Sequence, residues 1–192
     1  MKLIPILAAA ASICAATPAF SALVTVDFDN LASQVVTNQY PNINFSNSVT
    51  VTSDPAFFEF TGNPSGLSVM VVNAAEGATS VMNVTTGFVG NASFSFSNIS
   101  GATGTVSVFS GLNATGSTLA SFTLAANDNL NQWYQLSQDF VGTAYSISFA
   151  GNDGNIAYDN VTVNAVPLPA ALLLFPFGAA GLGLTARRKR KV

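Results

Sequence analysis

Two short acidic motifs near opposite ends of the chain carry the side chains best suited to chemistry. In the sequence VDFDNL, Asp27 and Asp29 are two residues apart, and in IAYDNVTV, Asp159 is followed by Asn160. Alternate residues of a strand point to the same side of a sheet, so Asp27 and Asp29 are predicted to share a face. In the second motif the apolar positions change parity after Tyr158, which predicts a β-bulge at Asp159 and Asn160.

Calcium binding is the chemistry that these motifs suggest. The first and last strands of a β-sandwich are often neighbours, which would bring the two motifs together. Carboxylates brought together without a cation repel each other, whereas Ca²⁺ takes about six to eight oxygen ligands from carboxylates, amides and carbonyls. The residues Asp27, Asp29, Asp159 and Asn160 therefore form the predicted calcium site. No calcium-loop spacing supports it, so the alternative stays open that each Asp is a solvated strand-end or turn residue, and no cofactor is required.

The distribution of charge excludes most other chemistry. The chain contains nine Asp and Glu, six Lys and Arg, and no His. The six cations are Lys2 and the run at residues 187–191, and the single cysteine is Cys14. The long central part of the chain therefore has no Ser-His-Asp or Cys-His nucleophile, no Lys Schiff base and no His or Cys zinc site. Its negative charge also excludes nucleic acid as a partner.

Glycoside hydrolysis is the one common enzyme class that this composition leaves open, because it can run on two carboxylates. In that alternative, a small glycan-active hydrolase uses a pair among Asp27, Asp29, Asp139 and Asp159. Many such enzymes also bind sugars through Arg, His and several Trp, and this chain has one Trp. The favoured interpretation is therefore a protein without catalytic activity.

Two neighbouring aromatic residues are the candidate glycan contacts. Trp133 and Tyr134 follow the polar sequence NDNLNQ. Their rings suit stacking against sugars, but aromatic residues of β-sandwiches more often belong to the core. Both interpretations stay open.

An all-β fold is predicted around these residues. In NASFSFSNI, Phe94 and Phe96 alternate with serines, which is the period of two that strands show. Gly, Asn, Asp and Pro separate about ten short segments of this kind, which favours a single jelly-roll-like β-sandwich over residues 22–165. Besides strands around Phe94, Val106, Phe122 and Ile147, the predicted strands cover residues 23–28, 49–52, 57–61, 67–72, 81–86, 133–136 and 156–163.

The N-terminus is typical of a secretory signal peptide. Lys2 precedes an apolar run over residues 3–16, and Ala19 and Ser21 suit positions −3 and −1 of a cleavage site. Residues 1–21 are predicted to be removed, so that the mature chain begins at Ala22.

The C-terminus is typical of a membrane anchor. Residues 166–186 contain no charged residue and have about the 20-residue length of a transmembrane helix. The basic cluster that follows consists of Arg187, Arg188, Lys189, Arg190 and Lys191. Cations directly after an apolar span stay on the cytoplasmic side, so this cluster is predicted to set the topology.

The same C-terminal segment resembles a known sorting signal. The motif residues are Val166, Pro167, Leu168, Pro169 and Ala170. Followed by an apolar span and a basic tail, they resemble the VPLPA-CTERM variant of the PEP-CTERM sorting signals over residues 166–192. The resemblance implies export from a Gram-negative cell through the Sec translocon, a transient stay in the inner membrane, and processing by an exosortase.

A second resemblance concerns the fold. The sequence GTA at residues 142–144 and the later IAYDNVTV are similar to the β-sandwich half of many PEP-CTERM proteins, over residues 107–163. Together, the two resemblances imply an exported, acidic β-sandwich of the cell envelope or exopolysaccharide matrix. The expected role is non-catalytic, either structural or binding, with a polysaccharide as the expected partner.

Overall fold

The computed structural model describes residues 21–52, 60–99, 101–126, 132–151 and 154–166. All of them lie within the compact unit Phe20–Pro167. Apart from Ser21 and Val166, the predicted signal peptide and sorting signal lie outside the described residues. The described ranges contain no helix of the length and apolarity needed to cross a membrane.

The described residues form an all-β domain in which every strand pairing is antiparallel. The predicted all-β class is confirmed. The strands are β1 (Ala22–Val26), β2 (Val35–Val36), β3 (Ile43–Ser46), β4 (Ser48–Thr52), β5 (Ser68–Val72), β6 (Thr79–Asn98), β7 (Gly104–Phe109), β8 (Thr118–Leu124), β9 (Tyr134–Ala150) and β10 (Ile156–Ala165).

In the sheet, hydrogen-bonded neighbours follow the order β2-β4-β5-β10-β6-β9-β7-β8, while β1 pairs with β10 and β3 pairs with β6. Strands β6 and β9 contain 20 and 17 residues. Each merges two of the predicted short strands, so the prediction of separate strands was wrong there. The expected pairing of the first and last strands is confirmed, because β1 runs beside the second half of β10.

Strands β6 and β9 share irregularities in their pairing, and because such irregularities bend strands, they indicate that both strands pass from one layer of the sandwich to the other. Their pairing is interrupted between Asn83 and Phe88 and again between Val89 and Asn91. In the first interruption, Gly87 has a φ of 78°, and a Cβ there would lie 2.8 Å from Thr143 Cγ2. Only a residue without a side chain fits such a backbone so close to its neighbour. Strands that pass from one sheet to the other through such irregularities are typical of sandwiches with bent corners.

Contacts across the core show that the two layers face each other. Phe94, on the second half of β6, lies 5.0 Å from the ring of Phe122 on β8 and 6.1 Å from that of Phe149 on β9. It also contacts Tyr158 of β10 at 5.9 Å. These distances are ring-centroid separations typical of edge-to-face packing. The predicted alternation at Phe94 and Phe96 thus places both rings in the core.

The predicted strand at residues 23–28 is too long. Strand β1 ends at Val26, and Phe28 has a φ of 60°, in the left-handed region that L-residues rarely adopt. Asp27 and Asp29 therefore do not share the face of a strand, and that part of the prediction was wrong. The reversal at Phe28 buries its ring in the core beside Tyr40 and Phe45.

Candidate functional sites

The predicted β-bulge in β10 is confirmed. The pairing of β10 with β6 shifts register between Asp159 and Thr162. Asn160 within this shift has a φ of 48°. A bulge re-aims the side chains beside it, and here the Asp159 side chain lies in the interior with 0% of its surface exposed.

Hydrogen-bond donors surround the buried carboxylate of Asp159. The hydroxyl of Ser65 lies 2.9 Å from Asp159 Oδ1 and 2.8 Å from Oδ2, and donates its one hydrogen to either. The backbone N–H groups of Ser65 and Asn160 donate at 3.1 and 2.7 Å. The side-chain amide of Asn63 donates at 3.5 Å. These donors offset part of the cost of burying the carboxylate without a cation.

The same segment also holds the first acidic motif. Asp29 Oδ1 accepts hydrogen bonds from the backbone N–H groups of Leu67 at 2.7 Å and Ser68 at 3.1 Å. The carbonyl oxygen of Asp27 lies 3.0 Å from the Ser65 hydroxyl. Residues 63–68 thus join the two motifs, and we call Asp27, Asp29, Asp159 and residues 63–68 the acidic clamp.

Residues 63–68 were not predicted to belong to a site. The sequence NPSG at residues 63–66 predicts a turn, and Leu67 and Ser68 begin the predicted strand 67–72. Asn63 and Ser65 lie 96 and 94 residues from Asp159 along the chain. No local spacing relates them, so the only available signal was a turn that ends in polar residues.

Burial raises the pKa of Asp159, and the negative charge of Asp29 raises it further. Hydrogen bonds from Ser65 and from the Asn160 backbone act in the opposite direction. Burial likewise raises the pKa of Tyr40 to about 12, and the three carboxylates of the acidic clamp contribute to that rise. The backbone N–H of Phe28 donates to the Tyr40 hydroxyl at 3.0 Å, which opposes the rise. Tyr40 therefore stays neutral in the physiological range.

The fourth acid of the hydrolase alternative, Asp139, lies outside the clamp. It is exposed on β9 and accepts a hydrogen bond from the side-chain amide of Asn91 at 2.7 Å. The structure thus brings Asp27, Asp29 and Asp159 to one segment of the fold and leaves Asp139 elsewhere.

Calcium binding by Asp27, Asp29, Asp159 and Asn160 stays a prediction. Within the described ranges, no three carboxylate, His or Cys side chains form a cluster able to hold a metal ion. If the clamp nevertheless takes up Ca²⁺, the melting temperature of the full-length chain should be higher in Ca²⁺ than in chelator. Asp27→Asn should remove this difference, and Asp139→Asn should not. Equal melting temperatures with and without Ca²⁺ would contradict the prediction.

The two candidate glycan contacts occupy different environments. Trp133 is half-buried, its indole N–H donates to the carbonyl of Thr61 at 3.1 Å, and it packs on an apolar cluster that includes Phe60 and Val71. The core alternative that the sequence left open therefore describes Trp133. Tyr134 retains 39% of its surface exposed.

Tyr134 lines a groove between the start of β9 and the end of β8. Its ring lies 5.8 Å from that of the buried Phe96, with an interplanar angle of 34°. The groove has a volume of about 250 Å³, and none of the described residues that line it is a carboxylate. Its walls are formed by Phe96, Thr123, Ala125, Ala126, Tyr134, Gln135 and Leu136. The groove is mostly apolar, and its polar groups include the Thr123 hydroxyl and the Gln135 side-chain amide.

Comparison with solved structures supports the sandwich fold. The domain is similar to the K1 cleaved adhesin domain of Lys-gingipain from Porphyromonas gingivalis W83, with a TM-score of 0.50 and 12% identity. That match covers 76% of this chain and 99% of the adhesin domain. At this identity the likeness shows the fold alone.

Two further matches have lower TM-scores. The K3 cleaved adhesin domain of the same gingipain matches at 0.42 and 17% identity, covering 74% of this chain and 98% of that chain. A carbohydrate-binding module of Cellvibrio mixtus lichenase 5A, solved with cellotriose, matches at 0.39 and 11% identity, covering 77% and 99%. No protein-family model and no curated protein sequence matches this chain.

Proposed function

We propose that this protein is an exported, non-catalytic β-sandwich that binds a neutral polysaccharide of the cell envelope or exopolysaccharide matrix. The observation that carries the proposal is the groove beside Tyr134. Ligand sites are mostly apolar recesses with a few polar groups that orient the ligand. A partly exposed aromatic ring with Thr123 and Gln135 beside it provides the stacking surface and hydrogen-bonding groups that a sugar ring needs.

The charge of the domain favours a neutral ligand. Residues 3–186 contain no Lys, Arg or His. A uronate or phosphate group would thus meet repulsion from the acids and no opposite charge. The groove volume of about 250 Å³ is near the lower end of the usual range for ligand sites. It therefore suits a short stretch of glycan better than an extended chain.

The clamp geometry favours a binding role over the hydrolase alternative. A glycosidase presents two carboxyl groups, roughly 5–10 Å apart, to the substrate. Asp159 has no exposed surface and is enclosed by donors, while Asp29 accepts two backbone hydrogen bonds. These carboxylates are occupied in joining strands, and the groove beside Tyr134 lies apart from them.

The proposed route to the envelope rests on the chain ends. An N-terminal signal peptide, the proline motif at residues 166–170, the apolar span and the basic cluster support Sec-dependent export, transient anchoring in the inner membrane and exosortase processing.

Replacing Tyr134 by Ala tests the binding role. The full-length chain, kept in mild detergent because of its apolar C-terminus, should co-sediment with an insoluble neutral glucan. Tyr134→Ala should weaken binding about tenfold or more, which corresponds to about 1.4 kcal/mol. Leu112→Ala, at an exposed apolar residue outside the groove, is the matched control and should bind like the unmodified chain.

Equal binding by Tyr134→Ala and the unmodified chain would remove the groove as the binding site. Release of reducing ends from the glucan by the unmodified chain, and its loss in Asp29→Asn, would instead favour the hydrolase alternative.

A further inference from the structure

The two ends of the domain leave the sandwich at neighbouring positions. Ala22 at the start of β1 is the Cα partner of Ala165 at the end of β10. The next residue, Val166, donates its backbone N–H to the carbonyl of Gly87 at 2.9 Å. The ordered hydrogen bonding thus continues to the first residue of the apolar, uncharged stretch at residues 166–186. No described linker separates the sheet from that stretch.

Two of the most exposed apolar side chains lie at this end of the sheet. Leu23 pairs with Asn164 and is 71% exposed. Val141 is 93% exposed. It lies in an irregularity of β9, where residues 140–142 stand opposite Gly90 alone, between the pairs Val89–Thr143 and Asn91–Asp139. A Cβ on Gly90 would lie 3.8 Å from the Asn164 amide, which places the positions of Leu23 and Val141 in one row across four neighbouring strands. Three strand spacings separate them, about 14 Å.

Three of the five acids in the described ranges, those of the acidic clamp, lie away from this end. Asp159 lies six residues before Ala165 on β10, a distance of about 20 Å along a strand. Asp27 follows the far end of β1, and the 63–68 segment joins it to Asp159. Asp139 is the exception, because it is exposed, lies two residues from Val141 and accepts a hydrogen bond from the Asn91 amide. The acidic clamp thus lies at the opposite end of β1 and β10 from Ala22 and Ala165.

We propose that the end of the sandwich formed by Ala22, Leu23, Val141 and Val166, here called the exit end, rests on the lipid surface while the chain is anchored in the membrane. This inference rests on the proposed anchoring by residues 166–186. Leu23 and Val141 insert into the interfacial region, and the acidic clamp points away from the bilayer. Since Ala22 and Ala165 are neighbours, the same end faces the bilayer whether the N-terminal or the C-terminal apolar segment holds the chain.

Site-specific fluorescence tests this orientation. The background is the full-length chain with Cys14→Ser, so that an introduced cysteine is its one thiol. Val141→Cys and, as the matched control, Leu67→Cys each carry an environment-sensitive fluorophore. Leu67 is also well exposed, at 65%, but its backbone bonds to Asp29 in the acidic clamp. Both proteins are reconstituted into phosphatidylcholine vesicles, with or without nitroxide-quencher lipids.

Quenching at position 141 should exceed quenching at position 67 by about threefold, because an interfacial side chain reaches roughly 5–10 Å into the headgroup region. Equal quenching at both positions would overturn the inference. The inference would also be overturned if the fluorescence of the label at position 141 changed with protein concentration and not with the quencher lipid. That result would indicate that a second copy of the chain covers Val141. Flotation of the vesicles gives the separate readout of anchoring. A chain that floats without differential quenching refutes the orientation alone, whereas a chain that does not float refutes the anchor and the orientation together.

Discussion

Asp159→Ala should lower the free energy of unfolding by about 3 kcal/mol, because it leaves several half-buried donors without this acceptor. The backbone N–H groups of Ser65 and Asn160 and the Ser65 hydroxyl all point to this carboxylate. Urea denaturation of the full-length chain, followed by tryptophan fluorescence, measures the loss, since Trp133 packs on the neighbouring apolar cluster. Asp139→Ala is the matched control and should change stability by about 0.5 kcal/mol or less, as an exposed substitution does.

The same carboxyl group should make stability depend on pH. Because burial raises its pKa above the usual value of 3.8, the folded state holds this proton more tightly than the unfolded state. Stability should therefore be higher below the unfolded pKa and should fall as pH rises from that value through the raised pKa of the folded state. Asp159→Asn should remove this part of the pH dependence. A variant with an unchanged pH profile, or Asp159→Ala as stable as Asp139→Ala, would show that Asp159 has no such role.

Phe94→Ala should lower the free energy of unfolding by about 3–5 kcal/mol, the usual cost of removing a buried aromatic ring. Phe94 is 1% exposed and contacts rings on three other strands, from Phe122, Phe149 and Tyr158. Removal of the ring would leave a cavity among these aromatic side chains in the core.

Thermal and urea denaturation of the full-length chain measure this effect. Phe94→Leu retains most of the volume and keeps the experiment informative if Phe94→Ala does not fold. Its expected cost is about 1.5 kcal/mol. Tyr134→Ala removes an aromatic side chain from a half-open position and should cost about 1 kcal/mol or less. A cost for Phe94→Ala as small as that for Tyr134→Ala would show that the two layers do not depend on this contact.

Local patterns in the sequence were enough for the all-β class, for many strand positions and for one irregularity. The alternation at Phe94 and Phe96 predicts a strand because side chains of a strand alternate between its faces. The parity change after Tyr158 predicts the bulge for the same reason, and the register shift in β10 confirms it. The neighbouring positions of β1 and β10 also followed from a general property of sandwiches. The alternation and the parity change depend only on residues within a few positions of each other.

The end of β1 and the long strands did not follow from local patterns. The alternation of Val26 and Phe28 continues past Val26, yet the backbone reverses at Phe28 to bury its ring with Tyr40 and Phe45. The predicted strand 81–86 ends before Gly87, whereas β6 continues through Gly87 as far as Asn98. In both places the packing of distant residues outweighs the local signal.

The amino-acid composition alone determines which catalytic side chains the domain lacks and which types of side chain remain. A chain without Lys, Arg or His between residues 3 and 186 cannot compensate its acids by ion pairs there, whatever its fold. The tertiary structure decides how Asp29 and Asp159 are compensated, by hydroxyl and amide donors from residues 63–68. It also decides that Trp133 packs against the sheet while Tyr134 stays exposed. These outcomes depend on contacts between residues many positions apart, and such contacts leave no periodic trace in the sequence.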